Sequence, residues 1–277
     1  SFTPKPHQKM TIKINQLNYF YKESGQGETV LLVHGNPDSA DYWDDIVPFL
    51  NKKYRCITPD LPGFGRSDIS DNFDFSLDGC QAWLDSFITA LSIKEPIHLV
   101  IHDVGAFYAI PWAINNPDKV KSICITNTLF FSDYRWHFWG RIWRTPILGE
   151  LSNLLMNKRL YKSGLKKGSP TLSDAFLEKS YQHITPKMQR TVLKLYRAMS
   201  PHVFKNWEAK YLALTKTKPV LVIWGEKDPY IPLHFGYAER MANGQTVHRI
   251  PDVGHWVAAE VPAQFAEYWL GFAEHSV

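Results

Sequence analysis

A short apolar run at residues 97–101 leads directly into the polar pair His102-Asp103, and an apolar helical stretch follows to about residue 115. This order is typical of a buried strand that turns sharply into a helix. The tip of such a turn presents one side chain at the carboxyl end of the strand. Here that side chain is a carboxylate, so the chemistry of Asp103 constrains what the chain can do.

Other strand-like runs alternate with helical segments on both sides of this turn. We expect strands at 11–14, 17–23, 29–34, 55–59, 97–101, 120–126, 219–225 and 245–250. We expect helices near 43–50, 76–91, 106–115 and 262–275. Such alternation predicts an α/β fold in which a mostly parallel central sheet is flanked by helices.

The alternation stops after residue 128 and restarts at 219. Residues 129–214 instead have helical periodicity, many Trp and Tyr, and no good strand. The simplest architecture is therefore a single core with an inserted α-helical cap. We expect residues 1–128 to form the first part of the core, 129–214 the cap, and 215–277 the second part of the core.

Cysteine usage and hydropathy restrict the setting of the protein. The chain has three cysteines, Cys56, Cys80 and Cys124, and no CxxC pair. This pattern favours buried thiols of a reducing compartment over a disulfide framework or a metal site. No apolar run reaches the ~18 residues of a membrane span, and residues 1–10 lack the apolar core of a secretion signal. We therefore expect a cytoplasmic protein without a membrane span.

Positive charge is concentrated in the predicted cap. Residues 129–216 contain 16 Lys and Arg but five Asp and Glu, a balance of +11, whereas the remainder has a balance of −7. A basic segment can attract anionic substrates or surfaces, although solvated outer helix faces give the same composition. No nucleic-acid-binding motif accompanies it, so we expect no nucleic-acid partner.

Three chemically able side chains follow three predicted strands. Asp103 follows the strand at 97–101, Asp228 follows the one at 219–225, and His255 follows the one ending at 250. Open α/β sheets place their sites at these carboxyl ends. Each residue alone has a structural explanation, such as a helix cap, a turn before Pro229, or a loop histidine. Together, in the order nucleophile, acid, histidine, they predict a catalytic triad, for which Glu226 is a competing acid.

The chain resembles, over nearly its full length, the α/β-hydrolases of the branch that contains epoxide hydrolases and haloalkane dehalogenases. The resemblance is carried by His34-Gly35-Asn36-Pro37, Asp60-Leu61-Pro62-Gly63-Phe64-Gly65-Arg66-Ser67, His102-Asp103-Val104-Gly105 and Gly254-His255-Trp256. Most hydrolases of this fold carry Ser at the tip, within G-x-S-x-G. An Asp at the tip is specific to the branch and implies that Asp103 is the nucleophile.

A carboxylate nucleophile selects the kind of carbon that is attacked. Attack on an acyl carbon gives a reactive mixed anhydride, whereas attack on a saturated carbon gives a stable alkyl ester. Water deprotonated by His255, which Asp228 orients, can then hydrolyse that ester. The backbone N–H groups of Asn36 and Val104 are the expected oxyanion donors. We expect a small apolar organic substrate and water as reactants, with no metal or organic cofactor.

The leaving group on that carbon decides between two activities. Opening an epoxide requires a proton donor, and residues 195–199 resemble the cap segment that carries an acid tyrosine in epoxide hydrolases, here Tyr196. A second tyrosine is expected earlier in the cap, and Tyr134 and Tyr161 are the candidates. This reading makes epoxide opening the leading hypothesis.

Halide release is the alternative, since it requires only hydrogen-bond donors in a dry pocket. Dehalogenases of the branch use the Asn of His-Gly-Asn-Pro, here Asn36, and a Trp after the nucleophile, where this chain has Val104. A cap tryptophan would have to substitute. The candidates are Trp136, Trp139 and Trp143, which with Trp207 could also wall an apolar pocket.

A non-catalytic binding protein of the same fold is a further hypothesis, since some members of the fold have become binding modules. All three triad residues are present here, which favours an enzyme. The oligomeric state is expected to be a monomer or a homodimer.

Overall fold

The computed structural model describes residues 7–275, and residues 1–6 and 276–277 lie outside it. The expected lack of a secretion signal partly concerns residues 1–6 and so falls outside the described residues. The strands are β1 (Gln8–Ile14), β2 (Leu17–Ser24), β3 (Thr29–Val33), β4 (Arg55–Pro59), β5 (Ile97–His102), β6 (Val120–Thr126), β7 (Val220–Gly225) and β8 (Thr246–Ile250). They form one sheet in the order β1-β2-β4-β3-β5-β6-β7-β8. β2 pairs antiparallel with β1 and β4, and the remaining pairs are parallel. The predicted α/β class with a mostly parallel sheet is confirmed.

The α-helices are α1 (Val47–Leu50), α2 (Leu77–Ala90), α3 (Ala106–Asn115), α4 (Phe138–Arg144), α5 (Leu148–Leu155), α6 (Lys158–Gly168), α7 (Asp174–Tyr181), α8 (Pro186–Ala198), α9 (Lys205–Thr215), α10 (Tyr237–Ala242), α11 (Val257–Glu260) and α12 (Pro262–His275). Short 3₁₀ helices cover Ala40–Trp43, Asp103–Gly105, Pro117–Lys119, Pro201–Phe204 and Leu233–Phe235. None of the helices between residues 7 and 275 combines the length and the apolarity that crossing a bilayer requires.

The central strands are apolar throughout because helices cover both faces of the sheet. In β3, Leu31 and Val33 point into one buried cluster, with residues of α2 and α3, whereas Val30 and Leu32 point into the other, with residues of α1 and α12. All residues of β3 and β5 are buried. This double core holds the carboxyl ends of the parallel strands at one edge.

The strand predictions agree with the structure to within a few residues, and three helical features differ. The helix expected near 43–50 is a 3₁₀ turn, Ala40–Trp43, followed by the single turn α1. The single-turn α11 was not predicted from the sequence, and neither was α10. It has six residues between Gly236 and Asn243, which both adopt left-handed backbone, and so short a segment shows no clear helical period.

Between β6 and β7 the chain forms α4 to α9 and, among the described residues, no strand. We refer to residues 127–219 as the helical insertion. It packs on the core partly through aromatic contacts, such as that between Phe204 and Phe107 of α3, whose ring centroids lie 5.4 Å apart. The assignment of 129–214 to a cap domain stays a prediction.

Candidate active site

The turn after β5 holds Asp103 in a strained conformation. Its φ of 47° lies in the left-handed region, which costs a residue with a Cβ about 1–3 kcal/mol and is found at functional sites. Two glycines make room for it. A Cβ on Gly35 would lie 2.3 Å from the Asp103 Cβ, and one on Gly105 would lie 2.6 Å from the His34 carbonyl oxygen. The local sequence therefore fits a sharp turn that exposes one side chain.

The two carboxylate oxygens of Asp103 have different surroundings. Oδ2 accepts the backbone N–H of Asn36 at 2.8 Å, and the Val104 N–H also donates to the carboxylate. Oδ1 lies 3.9 Å from His255 Nε2. Burial raises the pKa of Asp103, the His255 charge and these N–H groups oppose that rise, and the net pKa lies above the ordinary value.

Asp228 is held firmly against the other side of His255. Its Oδ2 lies 2.7 Å from His255 Nδ1, and its Oδ1 accepts the backbone N–H groups of Tyr230 and Ile231 at 2.7 and 3.1 Å. Burial alone would raise the pKa of Asp228, but the His255 charge and these hydrogen bonds leave it below its ordinary value. The acid is therefore an anion that fixes the orientation of the imidazole.

His255 is an imidazolium in the resting site. Burial alone would lower its pKa, but the charges of Asp228 and Asp103 raise it, to about 9, with a smaller contribution from Asp38 at a pH high enough to ionise that residue. Esterification of Asp103 would remove one of these charges, and the pKa of His255 would fall as a result. A base would thus become available only after a covalent intermediate has formed.

Asn127 has a structural role in the site that the sequence did not predict. Its Nδ2 donates to Asp228 Oδ2 at 2.8 Å and to the Gly225 carbonyl oxygen at 3.0 Å, while its Oδ1 accepts the Gly225 N–H at 2.8 Å. It thereby joins the end of β6 to the end of β7 and to the triad acid. The available signal was a polar residue directly after a buried strand.

Behind His255 lies a second buried acid–imidazole pair. His102 Nε2 donates to the His255 carbonyl oxygen at 3.0 Å, and its Nδ1 lies 3.8 Å from Asp38 Oδ2. Trp256 Nε1 donates to the same Oδ2 atom of Asp38 at 3.0 Å. Burial raises the pKa of Asp38 to about 8, so this carboxyl group is protonated at neutral pH.

A cavity of about 110 Å³ opens above Asp103, between the sheet edge and the helical insertion. Its walls are Asn36, Pro37, Asp103, His137, Trp139, Trp143, Asn153, Met156, Leu160, Tyr161, Gly164, Leu165, Ile184, Met188, Gln189, Val192, Tyr196, Tyr230, His255 and Trp256. The lining is mostly apolar with a few polar groups, as is typical of small-molecule sites. Within residues 7–275, no group of three or more His, Cys, Asp or Glu side chains is arranged to hold a metal ion.

Tyr196 lies on the cavity wall, as does Asn36. The Asn36 Nδ2 donates to the Tyr196 hydroxyl at 3.2 Å, so the tyrosine proton can point elsewhere. Burial raises the pKa of Tyr196 well above its ordinary value, and the hydroxyl is therefore protonated. This arrangement provides a neutral O–H donor close to the carboxylate of Asp103.

Two other residues expected near the leaving group do not line the cavity. The Tyr134 hydroxyl donates to the Tyr230 carbonyl oxygen at 2.8 Å, so its proton is already engaged. Trp136 Nε1 donates to the Met199 carbonyl oxygen at 3.0 Å, and its ring packs on Tyr196 instead.

Of the other predicted aromatic wall residues, Trp139, Trp143 and Tyr161 do line the cavity, whereas Trp207 borders a separate groove. The Tyr161 hydroxyl is engaged with Ser180 Oγ. Two of the three candidate tyrosines, Tyr161 and Tyr196, therefore line the cavity. Of these two, Tyr196 is the one whose hydroxyl donates to no protein acceptor among the described residues. Tyr230 is a wall residue that was not predicted.

His137 is a second wall residue that the sequence did not indicate. It caps α4, and its Nδ1 accepts the Gly140 N–H at 3.1 Å, so the proton of the neutral ring is on Nε2. Burial lowers the pKa of His137 to about 4. The ring is therefore a neutral N–H donor at physiological pH. Histidine is not a usual N-cap residue, and no local pattern marks it.

A model of the alpha/beta hydrolase fold family matches residues 28–262, which is most of the chain. The protein belongs to this family, and it is an α/β-hydrolase-fold enzyme. The family match agrees with the order of Asp103, Asp228 and His255 along the chain.

Many known proteins are similar to the chain, among them the following three. A cis-3-alkyl-4-alkyloxetan-2-one decarboxylase from Xanthomonas campestris pv. campestris is 29% identical, over 93% of this chain and 91% of that protein. A haloalkane dehalogenase from Mesorhizobium japonicum is 32% identical, over 65% of this chain and 60% of that protein. The crystal structure of the Cif epoxide hydrolase from Acinetobacter nosocomialis superposes with a TM-score of 0.83 at 21% identity, covering 98% of this chain and 90% of that one. At that identity the last likeness concerns the fold.

Proposed function

We propose that the protein is a hydrolase that displaces a leaving group from an sp³ carbon and forms an alkyl ester on Asp103. The observation that carries the proposal is the asymmetry of the carboxylate. Oδ2 accepts the backbone N–H of Asn36, while Oδ1 lies beside His255 at the floor of an apolar cavity. Oδ1 is thus the oxygen free to attack, and the alkyl group would be bonded to it.

The second step of the proposed reaction uses the same geometry. The pKa of His255 falls when Asp103 is esterified, so the ring gives up its resting proton to the displaced group or to solvent. The neutral ring then takes a proton from water while the water oxygen bonds to the Asp103 Cγ. The charge that develops on Oδ2 lies where the N–H group of Asn36 already donates. The bond from Cγ to Oδ1 then breaks, the alcohol leaves with the remaining proton of that water, and the carboxylate and the imidazolium are restored.

We propose an epoxide as the preferred substrate. Ring opening produces an alkoxide, and Tyr196 has a protonated hydroxyl on the cavity wall to neutralise it. The contact from Asn36 stabilises the tyrosinate that results. In this proposal the helical insertion acts as the cap that closes the site over a small apolar substrate. A cytoplasmic location and a monomeric or dimeric state stay predictions.

Trapping of the ester tests the proposal. The His255→Gln variant is incubated with panels of epoxides and bromoalkanes, and its mass, diol and bromide are measured. We expect the mass to rise by that of the epoxide, on the peptide that contains residue 103. The matched control is His248→Gln, because His248 stacks on Tyr268 of α12 and does not line the cavity. Turnover by His255→Gln at the parent rate contradicts the mechanism. The parent enzyme is incubated with the same two panels, and release of bromide without diol by the parent would replace epoxide opening by dehalogenation.

A second candidate is the opening of an oxetan-2-one, favoured by the similarity to the Xanthomonas decarboxylase over 93% of this chain. Asp103 would attack the sp³ carbon that bears the ring oxygen, and the released carboxylate would need no proton. Loss of CO₂ would then form the carbon–carbon double bond and expel Asp103. No water is consumed, so His255→Gln should still release alkene and CO₂ from such a substrate, which distinguishes the two activities.

A further inference from the structure

Exposed apolar side chains are concentrated on one side of the helical insertion. Seven of the ten large apolar residues that are exposed among the described residues lie between 138 and 160. Six of them form what we refer to as the apolar face: Ile147, Leu148, Leu151, Leu154, Leu155 and Leu160. Single exposed leucines are ordinary on a protein surface, but a contiguous group marks an interaction site.

The spacing of α5 shows that this exposure is a property of a whole helix side. Leu148, Leu151 and Leu155 recur at i, i+3 and i+7, which places them in one stripe. They are 50%, 48% and 63% exposed. The inward side is occupied by Gly149, which is packed so closely that an added Cβ would lie 2.8 Å from a methyl group of Leu193. The helix therefore turns its apolar stripe outward.

Along the chain, the apolar face is bordered by cations that no carboxylate neutralises. Within residues 7–275, Arg141, Arg159 and Lys167 are exposed and form no ion pair. Lys167 lies at i+7 from Leu160 and so on the same side of α6. Arg144 binds neutral acceptors, the Tyr196 carbonyl oxygen and Ser200 Oγ. The positive charge of this border is thus left for an external partner.

The mouth of the active-site cavity adjoins the apolar face. Leu160 is a cavity wall residue and is also 54% exposed. Asn153 of α5 and Met156, which directly follows α5, are wall residues as well. A molecule bound to the apolar face would therefore cover the entrance to the cavity.

We propose that the apolar face docks on the surface of an anionic lipid bilayer and that apolar substrate enters the cavity from the lipid phase. Leucines beside uncompensated Arg and Lys are the composition of interfacial helices, because acyl chains accept the former and anionic headgroups the latter. A second copy of the chain fits less well. A two-fold dimer through this face would bring the two sets of unpaired cations together.

Vesicle binding tests this proposal without measuring turnover, so its outcome is separate from that of the proposed function. The full chain is mixed with vesicles of phosphatidylcholine alone or with a quarter of phosphatidylglycerol, and the bound fraction is measured by flotation. We expect binding to the anionic vesicles that weakens as salt is raised. Leu151→Ser/Leu154→Ser/Leu155→Ser should bind at least tenfold more weakly, because three apolar contacts are lost.

Two further variants complete the test. Arg159→Gln/Lys167→Gln should also lose binding, and more of it at low salt than at high salt. Phe49→Ser, at a residue that is 39% exposed on α1, is the matched control and should bind as the parent does. The proposal is overturned if the parent does not bind anionic vesicles at low salt or if the leucine variant binds equally well. A dimer in solution that the leucine variant dissociates, without vesicle binding, would assign the face to a second copy.

Discussion

The sheet edge and the helical insertion meet at the same cavity, but they hold their side chains in different ways. Asp103 and Asp228 are each fixed by two backbone N–H groups. Trp139 and Trp143, on the insertion, stack on each other and are only partly buried. Backbone donors at strand ends cannot be rearranged without unfolding the sheet, whereas packed helices can be replaced. In the proposed function, the edge therefore supplies the reacting groups and the insertion selects the substrate.

The largest expected effect tests the sheet edge alone. Asp103→Asn removes the nucleophile but keeps the size of the side chain, and we expect turnover of every substrate to fall by about 10⁴-fold or more. The measurement is initial diol formation, with the unfolding temperature as a check on the fold. Activity that returns slowly, with a mass gain of one, would indicate deamidation to Asp. Asp71→Asn, in an exposed loop, is the control. If Asp103→Asn retains activity within tenfold of that of Asp71→Asn, Asp103 is not the nucleophile.

The next effect tests the insertion and should depend on the substrate. Tyr196→Phe removes the proton donor, so epoxide opening should fall by about 10²-fold, while any bromide release should change little. Tyr134→Phe is the matched control, since it removes a hydroxyl from a tyrosine of the same insertion that does not line the cavity and whose proton is engaged by the Tyr230 carbonyl oxygen. Equal loss in both variants, or in both reactions of one variant, would mean that Tyr196 has only a structural role.

This difference also explains what the sequence could predict. Asp103, Asp228 and His255 each follow a predicted strand, and parallel strands bring their carboxyl ends to one edge of a sheet. Local pattern was therefore sufficient to bring them together. Tyr134 and Trp136 were expected near the leaving group, but their positions depend on how helices of the insertion pack. Periodicity gives the helices and not their packing.

The roles of Asn127 and His137 could not be predicted for a related reason. Asn127 could be excluded as a charged triad member from its type, but its contacts with Gly225 and Asp228 span about a hundred residues of sequence. The role of His137 as an N–H donor follows from the hydrogen bond that its Nδ1 accepts from the Gly140 N–H, because this bond fixes the tautomer of the ring. Such roles depend on partners that are distant in the chain or on the orientation of a side chain. Neither can be recognised from a local sequence pattern.

A moderate effect is expected where a positioning residue supports the sheet edge. Asn127→Ala deletes the bond to Asp228 and the two bonds to Gly225, and we expect kcat to fall by about 10-fold to 100-fold with little change in KM. The pKa of Asp228 should rise, because one donor to its carboxylate is lost. Hydrolysis of the ester, followed after a single turnover, should therefore lose activity at a higher pH on the acid side than in the parent. An unchanged pH profile with lowered thermal stability would assign Asn127 to the fold alone.

The smallest effect on turnover is expected at Asp38, a sheet-edge carboxyl group outside the triad. Its pKa is about 8 in the folded protein because of burial, against an ordinary value of 3.8. Between these values the folded state retains a proton that the unfolded state has lost, so this group makes stability fall as pH rises.

Asp38→Asn should remove that dependence, because an amide resembles the protonated acid and its oxygen can still accept the N–H of Trp256. We expect the free energy of unfolding of the variant, relative to that of the parent, to increase by at least about 1 kcal/mol between about pH 4 and 8. Above that range the difference should stay constant. Denaturant titrations at several pH values measure it, with Asp71→Asn as the control. Turnover at pH 7 should change less than about threefold, because below pH 8 the carboxyl group is already neutral beside His255. A large loss of turnover without a gain in stability would instead place a charged Asp38 among the groups that hold the proton on His255.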